Sequence, residues 1–144
     1  MSNSQVRSYI NSRMPTVEPD LKEHLDSFNI ENIPRTLINK RYHIAIGPST
    51  SSNKIDLHID ELVPVTMTIW SQGFRNVVTA TDALLDRAHC IRMDLINPVN
   101  IATFGRDLID FNSFSIVPSE IAVSNDDTVQ VQMEFVARFA FGTP

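Results

Sequence analysis

The fold of this chain is decided by its last long apolar stretch, TVQVQMEFVARFAF at residues 128–141. From Val129 to Phe141 every second residue is apolar, and polar residues fill most of the positions between them. Neighbouring side chains of a β-strand point to opposite faces of the sheet, so this alternation predicts a strand with one buried and one solvated face. The NDD sequence at residues 125–127 suits a turn and predicts an antiparallel hairpin with the strand before it.

The length of this predicted strand raises a question about its apolar end. Residues 128–141 would extend about 47 Å at ~3.4 Å per residue. A compact chain of 144 residues has a radius of gyration of about 14–15 Å. Either the strand bends within one domain, or its end projects beyond the core and exposes Phe139 and Phe141 to a partner. The residues themselves leave both possibilities open.

Upstream of the hairpin, residues 76–96 carry the strongest helical pattern in the chain. Its apolar residues recur every three or four positions, which is typical of a helix packed on a core: Val77, Thr81, Leu84, Ala88, Ile91 and Leu95. Asn97-Pro98 predicts the end of this helix. Residues 99–110 show no clear pattern.

Two shorter helices are predicted near the N-terminus. The first covers residues 4–14 and ends at Pro15, with an apolar face made of Val6, Tyr9, Ile10 and Met14. The second follows Pro19 and is indicated by the spacing of Leu21, Leu25 and Phe28.

Three further strands are predicted at residues 42–46, 57–71 and 111–123. Pro64 indicates an edge position or a bulge in the second of these, because proline cannot donate a ladder hydrogen bond. Pro118 predicts a disturbance in the third. The expected order is α-α-β-β-α-β-β, an α+β fold with an about four-stranded, mainly antiparallel sheet, one long helix across it and short N-terminal helices.

The chain is expected to form a single domain over residues 1–144. Residues 1–40 supply the N-terminal helical segment and a connector, and residues 41–144 supply the sheet and the long helix. The sequence has one cysteine, Cys90, which excludes an intrachain disulfide framework. The net charge of −5 argues against a general nucleic-acid binder. We find no secretory signal, membrane span or lipidation motif, which favours a soluble protein made in a reducing cytoplasm.

The residues give little indication of chemistry. The four histidines, His24, His43, His58 and His89, lack metal-ligand spacing, and zinc needs a third protein ligand beside any pair of them. Cys90 directly follows His89, so the two point in different directions on a helix and form no nucleophile–base pair. The loop at residues 47–54 fails the P-loop template. We therefore expect no catalytic, cofactor-binding or metal-binding residues and no enzyme.

Candidate interaction residues are easier to identify. Aromatic and arginine side chains are enriched at protein interfaces, and the candidates here are Trp70, Phe74, Arg75, Arg138, Phe139 and Phe141. Core packing is the alternative for Trp70. The small polar segment from Gly47 to Lys54 is predicted to be a mobile assembly loop, with Ser49, Thr50 and Ser52 inside it.

Five short stretches together resemble one known group of proteins. They are FNIENIP at 28–34, YHIAIG at 42–47, LVPV at 62–65 leading into GFR at 73–75, MDLINP at 93–98, and SND at 124–126 before the long final strand. In their order along the chain and in their local sequence they resemble the tail terminator, or tail-completion, proteins of tailed bacteriophages. The resemblance covers most of residues 28–141.

This resemblance implies a structural virion protein. Such subunits assemble as a ring, commonly a homohexamer, at the head-proximal end of the tail, after assembly in the host cytoplasm. The ring caps the tail tube protein and presents the surface that joins the neck or head connector, and DNA contacts it only in transit. The resemblance implies no catalytic residue, no cofactor and no membrane. Two alternatives remain: another neck, head-completion or tail-tube subunit, and a small α+β ligand-binding domain or enzyme.

Overall fold

The computed structural model describes residues 2–25, 35–53, 59–72, 77–104, 108–123 and 126–141. Its helices are α1 (Ser2–Val17), α2 (Val77–Leu95) and α3 (Pro98–Phe104), with a 3-10 helix at Arg35–Lys40. Its strands are β1 (Lys22–Glu23), β2 (Arg41–Ile46), β3 (Thr50–Asn53), β4 (Ile59–Gln72), β5 (Leu108–Val123) and β6 (Asp126–Phe141). The predicted α+β class is confirmed.

The strands form one mixed sheet in the order β1-β2-β4-β6-β5, and β3 pairs β4 beside this path. The β1–β2 pair is parallel and the other pairs are antiparallel. The sheet is therefore larger than the expected four strands. The two additions, β1 and β3, are only 2 and 4 residues long, too short to show an alternating pattern.

The central strand β6 confirms the alternation read from the sequence. Its apolar residues Val129, Val131, Met133, Phe135, Ala137 and Phe139 are all buried. β4 pairs with β6 from Ile59–Phe141 to Gln72–Thr128, and β5 flanks its other side. Phe139 is completely buried, so its side chain does not project beyond the core, contrary to the possibility raised for this strand end.

The helices supply the cover for this buried face. The α2 residues Leu84, Ala88, Ile91 and Leu95 and the α1 residues Val6, Tyr9, Ile10 and Met14 join the β4 and β6 side chains in one core cluster. The predicted α1 face is thus confirmed, and the α2 face is confirmed at these four residues. Thr81 of the predicted α2 stripe is only half-buried, and the Val77 side chain lies outside the described residues. The predicted end of α1 at Pro15 is wrong, because the helix continues to Val17. A proline in the last turn removes only one helical hydrogen bond, and Glu18 N–H still donates to the Met14 carbonyl oxygen at 2.8 Å.

The second N-terminal helix is not present at residues 21–25. Lys22 and Glu23 instead form β1 and pair in parallel with β2. Leu21 is buried and Leu25 is 82% exposed, so the two residues do not share an apolar face. The third member of the proposed stripe, Phe28, lies outside the described residues.

Pro64 marks a bulge between β2 and β3, as predicted. Gly47 N–H donates to the Pro64 carbonyl oxygen at 2.9 Å, and the register then shifts by one residue before Thr50 pairs with Leu62. The missing N–H of Pro64 faces this irregular site, so its pairing with β6 is undisturbed.

The segment expected to be a mobile loop is largely a strand. Thr50 and Ser52 lie in β3, where they pair with Leu62 and Asp60 of β4. Gly47 and Ser49 belong to the irregular connection before β3, and Lys54 lies outside the described residues. The small polar side chains of β3 predict little packing against the core. Its backbone nevertheless pairs with the long strand β4, and this pairing orders it.

The expected disturbance in β5 is displaced from Pro118. Pro118 pairs with Val131, and the register shifts instead between Leu108 and Asp110 and between Asn112 and Ser115. Ser113, at the second shift, has a φ of 55°. Within the described sheet β5 is an edge strand, where a proline is tolerated.

Candidate functional site: the open face of the sheet

One face of the sheet carries the helices, and the elements that the structure describes leave a large part of the other face uncovered. The outward-facing side chains alternate with the core residues along positions 62–66 of β4, 132–138 of β6 and 110–117 of β5, and Ala45 of β2 joins them. We call this surface the open face. It includes Leu62 and Val117, which are 38% and 44% exposed. Leu62 pairs with Arg138 and Val117 with Gln132, six positions apart on β6, so each is a single exposed aliphatic side chain on this face.

A shallow groove of about 580 Å³ crosses the open face. Gly47 and Ser113 lie at its margins, so it runs between the β2–β3 bulge and the irregular part of β5. Among the described residues that line it, Glu134 is the ionisable one, and Thr66, Ser113 and Ser115 supply hydroxyls.

Arg138, a predicted interface residue, is already paired within the chain. Its Nη2 lies 3.4 Å from Asp60 Oδ2 on β4, and its Nη1 lies 3.8 Å from Asp110 Oδ2 on β5. The guanidinium thus bridges the two neighbours of β6 at one end of the open face. The group of three carries a net negative charge, because two carboxylates surround one cation.

Trp70 is on the same side of the sheet but not on the open face. It is buried, and its indole N–H donates to the Gln130 side-chain oxygen at 3.0 Å. Thr68 and Thr128 are buried beside it, and the 3-10 helix packs against β4. Core packing, the alternative weighed for Trp70, is what the structure shows.

The predicted interface residues that the structure describes are not gathered on one surface. Trp70 and Phe139 belong to the interior of the subunit and present no side-chain surface to a partner. Phe74 and Arg75 lie outside the described residues. The backbone of Phe141 pairs with Ile59, and Arg138 reaches the open face as part of its ion-paired group.

The sheet edges are poorly suited to pairing with another chain. β1 and β3 are only 2 and 4 residues long. The long edge strand β5 is interrupted by two register shifts and contains Pro118. Short edges, bulges and prolines are features that prevent edge-to-edge association. Within the described sheet, the open face is the more accessible contact surface.

A polar network that sequence reasoning missed attaches β1 to the sheet and to α1. The Glu23 carboxylate, whose side chain is 6% exposed, accepts hydrogen bonds from Arg7 and Asn11, and the Tyr42 hydroxyl donates to Asn11 Oδ1. Burial, with the nearby Glu23 charge, raises the pKa of Tyr42 to about 12. No periodic signal in the sequence links these positions, because they come from three separate elements.

His24 and His43 lie on the other side of the same junction, with ring centroids 6.3 Å apart. Burial lowers the pKa of His43, and His24 and Arg7 lower it further while Glu23 opposes them. The described part of the chain holds no group of three or more His, Cys, Asp or Glu that could bind a metal ion.

No protein-family model matches this chain, and no curated protein matches it. Among the helices that the structure describes, none has the length and apolar character needed to span a membrane.

Proposed function

We propose that this chain is a structural subunit of a bacteriophage tail, which assembles into a ring that caps the tail tube and forms the joining surface toward the head. The proposal rests on the sequence resemblance over residues 28–141 and on one structural observation. The helices cover one side of a sheet with strands of 14–16 residues, and the other side retains an open face with exposed Leu62 and Val117.

The open face supports an assembly role because apolar side chains on it remain partly exposed to water in the single subunit. Complete burial of a fully exposed side chain of this kind is worth about 1.5–3 kcal/mol; Leu62 and Val117, which are 38% and 44% exposed, can each contribute less than half of that. The short or interrupted sheet edges favour a contact through faces, and they oppose unlimited edge-to-edge growth. A ring requires a heterologous contact, in which two different patches meet around a closed axis.

The ring that caps the tube would be a homo-oligomer, with six copies as the number that the resemblance implies. Its partners would be the tail tube protein on one side and a neck or connector protein on the other, and DNA would pass through it. The acidic net charge of −5 suits this passage, because it does not hold a phosphate backbone. The virion is the corresponding location.

A second candidate, a small α+β ligand-binding domain, is favoured by the groove of about 580 Å³ on the open face. Its size falls within the range of small-molecule sites. Among its described lining residues Glu134 is the single ionisable one, so those residues offer few convergent groups for specificity.

The testing experiment is the native mass of the purified chain, by light scattering after size exclusion over a range of concentrations, with electron microscopy of the same fractions. A discrete species near six times 16.2 kDa that forms closed rings supports the proposal. Open filaments identify a tube subunit instead. A monomer whose melting temperature rises with a metabolite or nucleotide supports the ligand-binding alternative and contradicts the ring.

A further inference from the structure

Three basic residues lie together at one end of the sheet. Lys22 of β1 pairs with Arg41 of β2, so their side chains point to the same side of the sheet. Arg41 is an even number of residues from Ala45 of the open face, which places both basic residues on the side of that face. Lys40 directly precedes Arg41, at the end of the 3-10 helix. We call these three residues the basic corner.

The described surroundings of the basic corner leave it positively charged. Lys22 and Lys40 are exposed, and Arg41 is partly exposed and donates to the Lys40 carbonyl oxygen at 3.1 Å. The ion pairs of the described residues include none of these three. Glu23 is occupied by side chains of α1. Asp20, two residues before Lys22, is a single negative charge against three positive ones.

The open face carries the opposite charge. Glu134 is exposed and lines the groove at its centre. Asp60 and Asp110 flank Arg138 at the end of the face that is remote from the basic corner. Three carboxylates thus accompany one guanidinium, and the described side chains give the open face a net negative charge.

The lining of the groove suits a long basic side chain. Ala45, Pro64 and Val136 supply apolar surface beside the Glu134 carboxylate. Lysine and arginine pack their aliphatic stems along such a surface while the charged head reaches a polar group. The hydroxyl of Ser115 in the same lining is a further hydrogen-bond acceptor for that head.

The two charged surfaces do not neutralise each other within one subunit. Tyr42, the residue after Arg41, pairs with Ile69 of β4, whereas Asp60 lies near the start of that strand. The stretch from Asp60 to Ile69 spans about 30 Å at ~3.4 Å per residue, which is far beyond the reach of a side chain. No ion pair of the described residues joins the basic corner to Glu134 either.

We infer that the open face receives the basic corner of a second copy of this chain. The inference rests on the proposed function and deepens it, since a closed ring joins two different patches on successive copies. The two surfaces lie toward opposite ends of one sheet, so each copy can present its basic corner to one neighbour and its open face to the other. Contacts between exposed charges weaken as salt is added, and the assembly should do the same.

Two variants with opposite charge changes test this contact by light scattering after size exclusion. Lys22→Glu with Arg41→Glu makes the basic corner acidic, and Asp110→Lys with Glu134→Lys makes the open face basic. Each variant alone brings like charges together, so the concentration needed for half-assembly should rise by about tenfold or more. An equimolar mixture of the two variants brings unlike charges together again and should recover the assembly of the parent chain.

Asp82→Lys with Asp86→Lys makes the same charge change at exposed positions of α2 and is the matched control, which should assemble as the parent chain does. Thermal unfolding shows whether each variant is folded. If a double variant is not, the single changes Lys22→Glu and Glu134→Lys, also at exposed positions, give the same mixing test.

The outcomes separate this contact from the proposed function. A parent ring that both folded variants still form, or a mixture that does not recover assembly, overturns the contact and leaves the ring supported. A parent dimer that follows the charge changes supports the contact and contradicts the ring. A parent chain that stays monomeric at every concentration overturns both.

Discussion

The hydroxyl of Tyr9 on α1 donates a buried hydrogen bond of 2.7 Å to the carbonyl oxygen of Leu95, the last residue of α2. The carbonyls of a final helical turn have no partner within their own helix, and here the neighbouring helix supplies one. The Tyr9 ring lies against Phe104 and Phe111, with centroid distances of 5.1 and 5.6 Å. This residue therefore joins α1, the end of α2, α3 and the edge strand β5.

We predict that Tyr9→Phe lowers the free energy of unfolding by about 1–3 kcal/mol, because a buried carbonyl oxygen loses its partner while the ring packing is kept. Denaturant unfolding with a common m-value for both proteins measures this difference. Ser8→Ala, at an exposed position on the same helix, is the control and should change little. Equal stability of Tyr9→Phe and the parent chain would contradict the assigned hydrogen bond.

Tyr9 should also determine part of the free energy of unfolding at alkaline pH. Burial, followed by the charge of Asp94, raises the pKa of Tyr9 to about 12 in the folded chain, against about 10 when unfolded. The unfolded state loses its proton first, so the stabilisation is complete below pH 10 and is lost as pH rises toward 12. The difference in stability between the parent chain and Tyr9→Phe should narrow by about 1.4 kcal/mol per pH unit above pH 10. A difference that is constant from pH 8 to 11.5 would contradict this.

Gly47 is predicted to resist substitution because of a close approach to Pro64. A Cβ atom added at Gly47 would lie 3.0 Å from the Pro64 Cγ, at the point where Gly47 N–H donates to the Pro64 carbonyl oxygen. Gly47→Ala should destabilise the chain by about 1–3 kcal/mol through this overlap. Thermal unfolding of Gly47→Ala, Pro64→Ala and the double variant measures it, and the double variant should recover part of the loss. Strictly additive effects would show that the two side chains do not meet.

The assembly role of the open face can be tested with charge. Leu62→Glu and Val117→Glu together should lower the oligomer's mass or raise the concentration needed to form it, because both side chains lie on that face. The melting temperature of the subunit should change little, since surface substitutions away from packed sites cost about 0.5 kcal/mol or less. Val99→Glu, at a 70% exposed position of α3 on the helical side, is the matched control. If the oligomer is unaffected, the open face is not the surface through which the subunits assemble.

The local patterns of the chain predicted its longest elements well. The stripes of α1 and α2 and the alternation in β6 are buried as expected, because each comes from a regular repeat within a single element. Asn97-Pro98, which predicts the end of α2, also forms the capped start of α3. Asn97 Oδ1 accepts from Val99 N–H at 3.0 Å, and proline is favoured at the first helical position.

Elements that depend on distant partners were not predictable in this way. β1 forms where Lys22 and Glu23 meet β2, and β3 forms where Thr50–Asn53 meets β4. Neither segment has an apolar repeat of its own, so nothing local distinguishes it from a turn or a loop. Leu21 and Leu25 have a helix-like spacing, but the pairing of Lys22 and Glu23 with β2 makes the residues between them a strand instead.

By itself, the sequence determined the α+β class and the buried faces of α1, β6 and most of α2, since these follow from side-chain periodicity. It marked Pro64 as an edge position or a bulge through the missing proline N–H, and the tertiary structure decided between the two. Only the tertiary structure decided which residues are available to a partner. Trp70 is enclosed with Gln130 and Phe139 is enclosed in the core, while Leu62 and Val117 remain exposed. The reason is physical: exposure depends on which other elements cover a side chain, and that cover comes from residues far away in the chain.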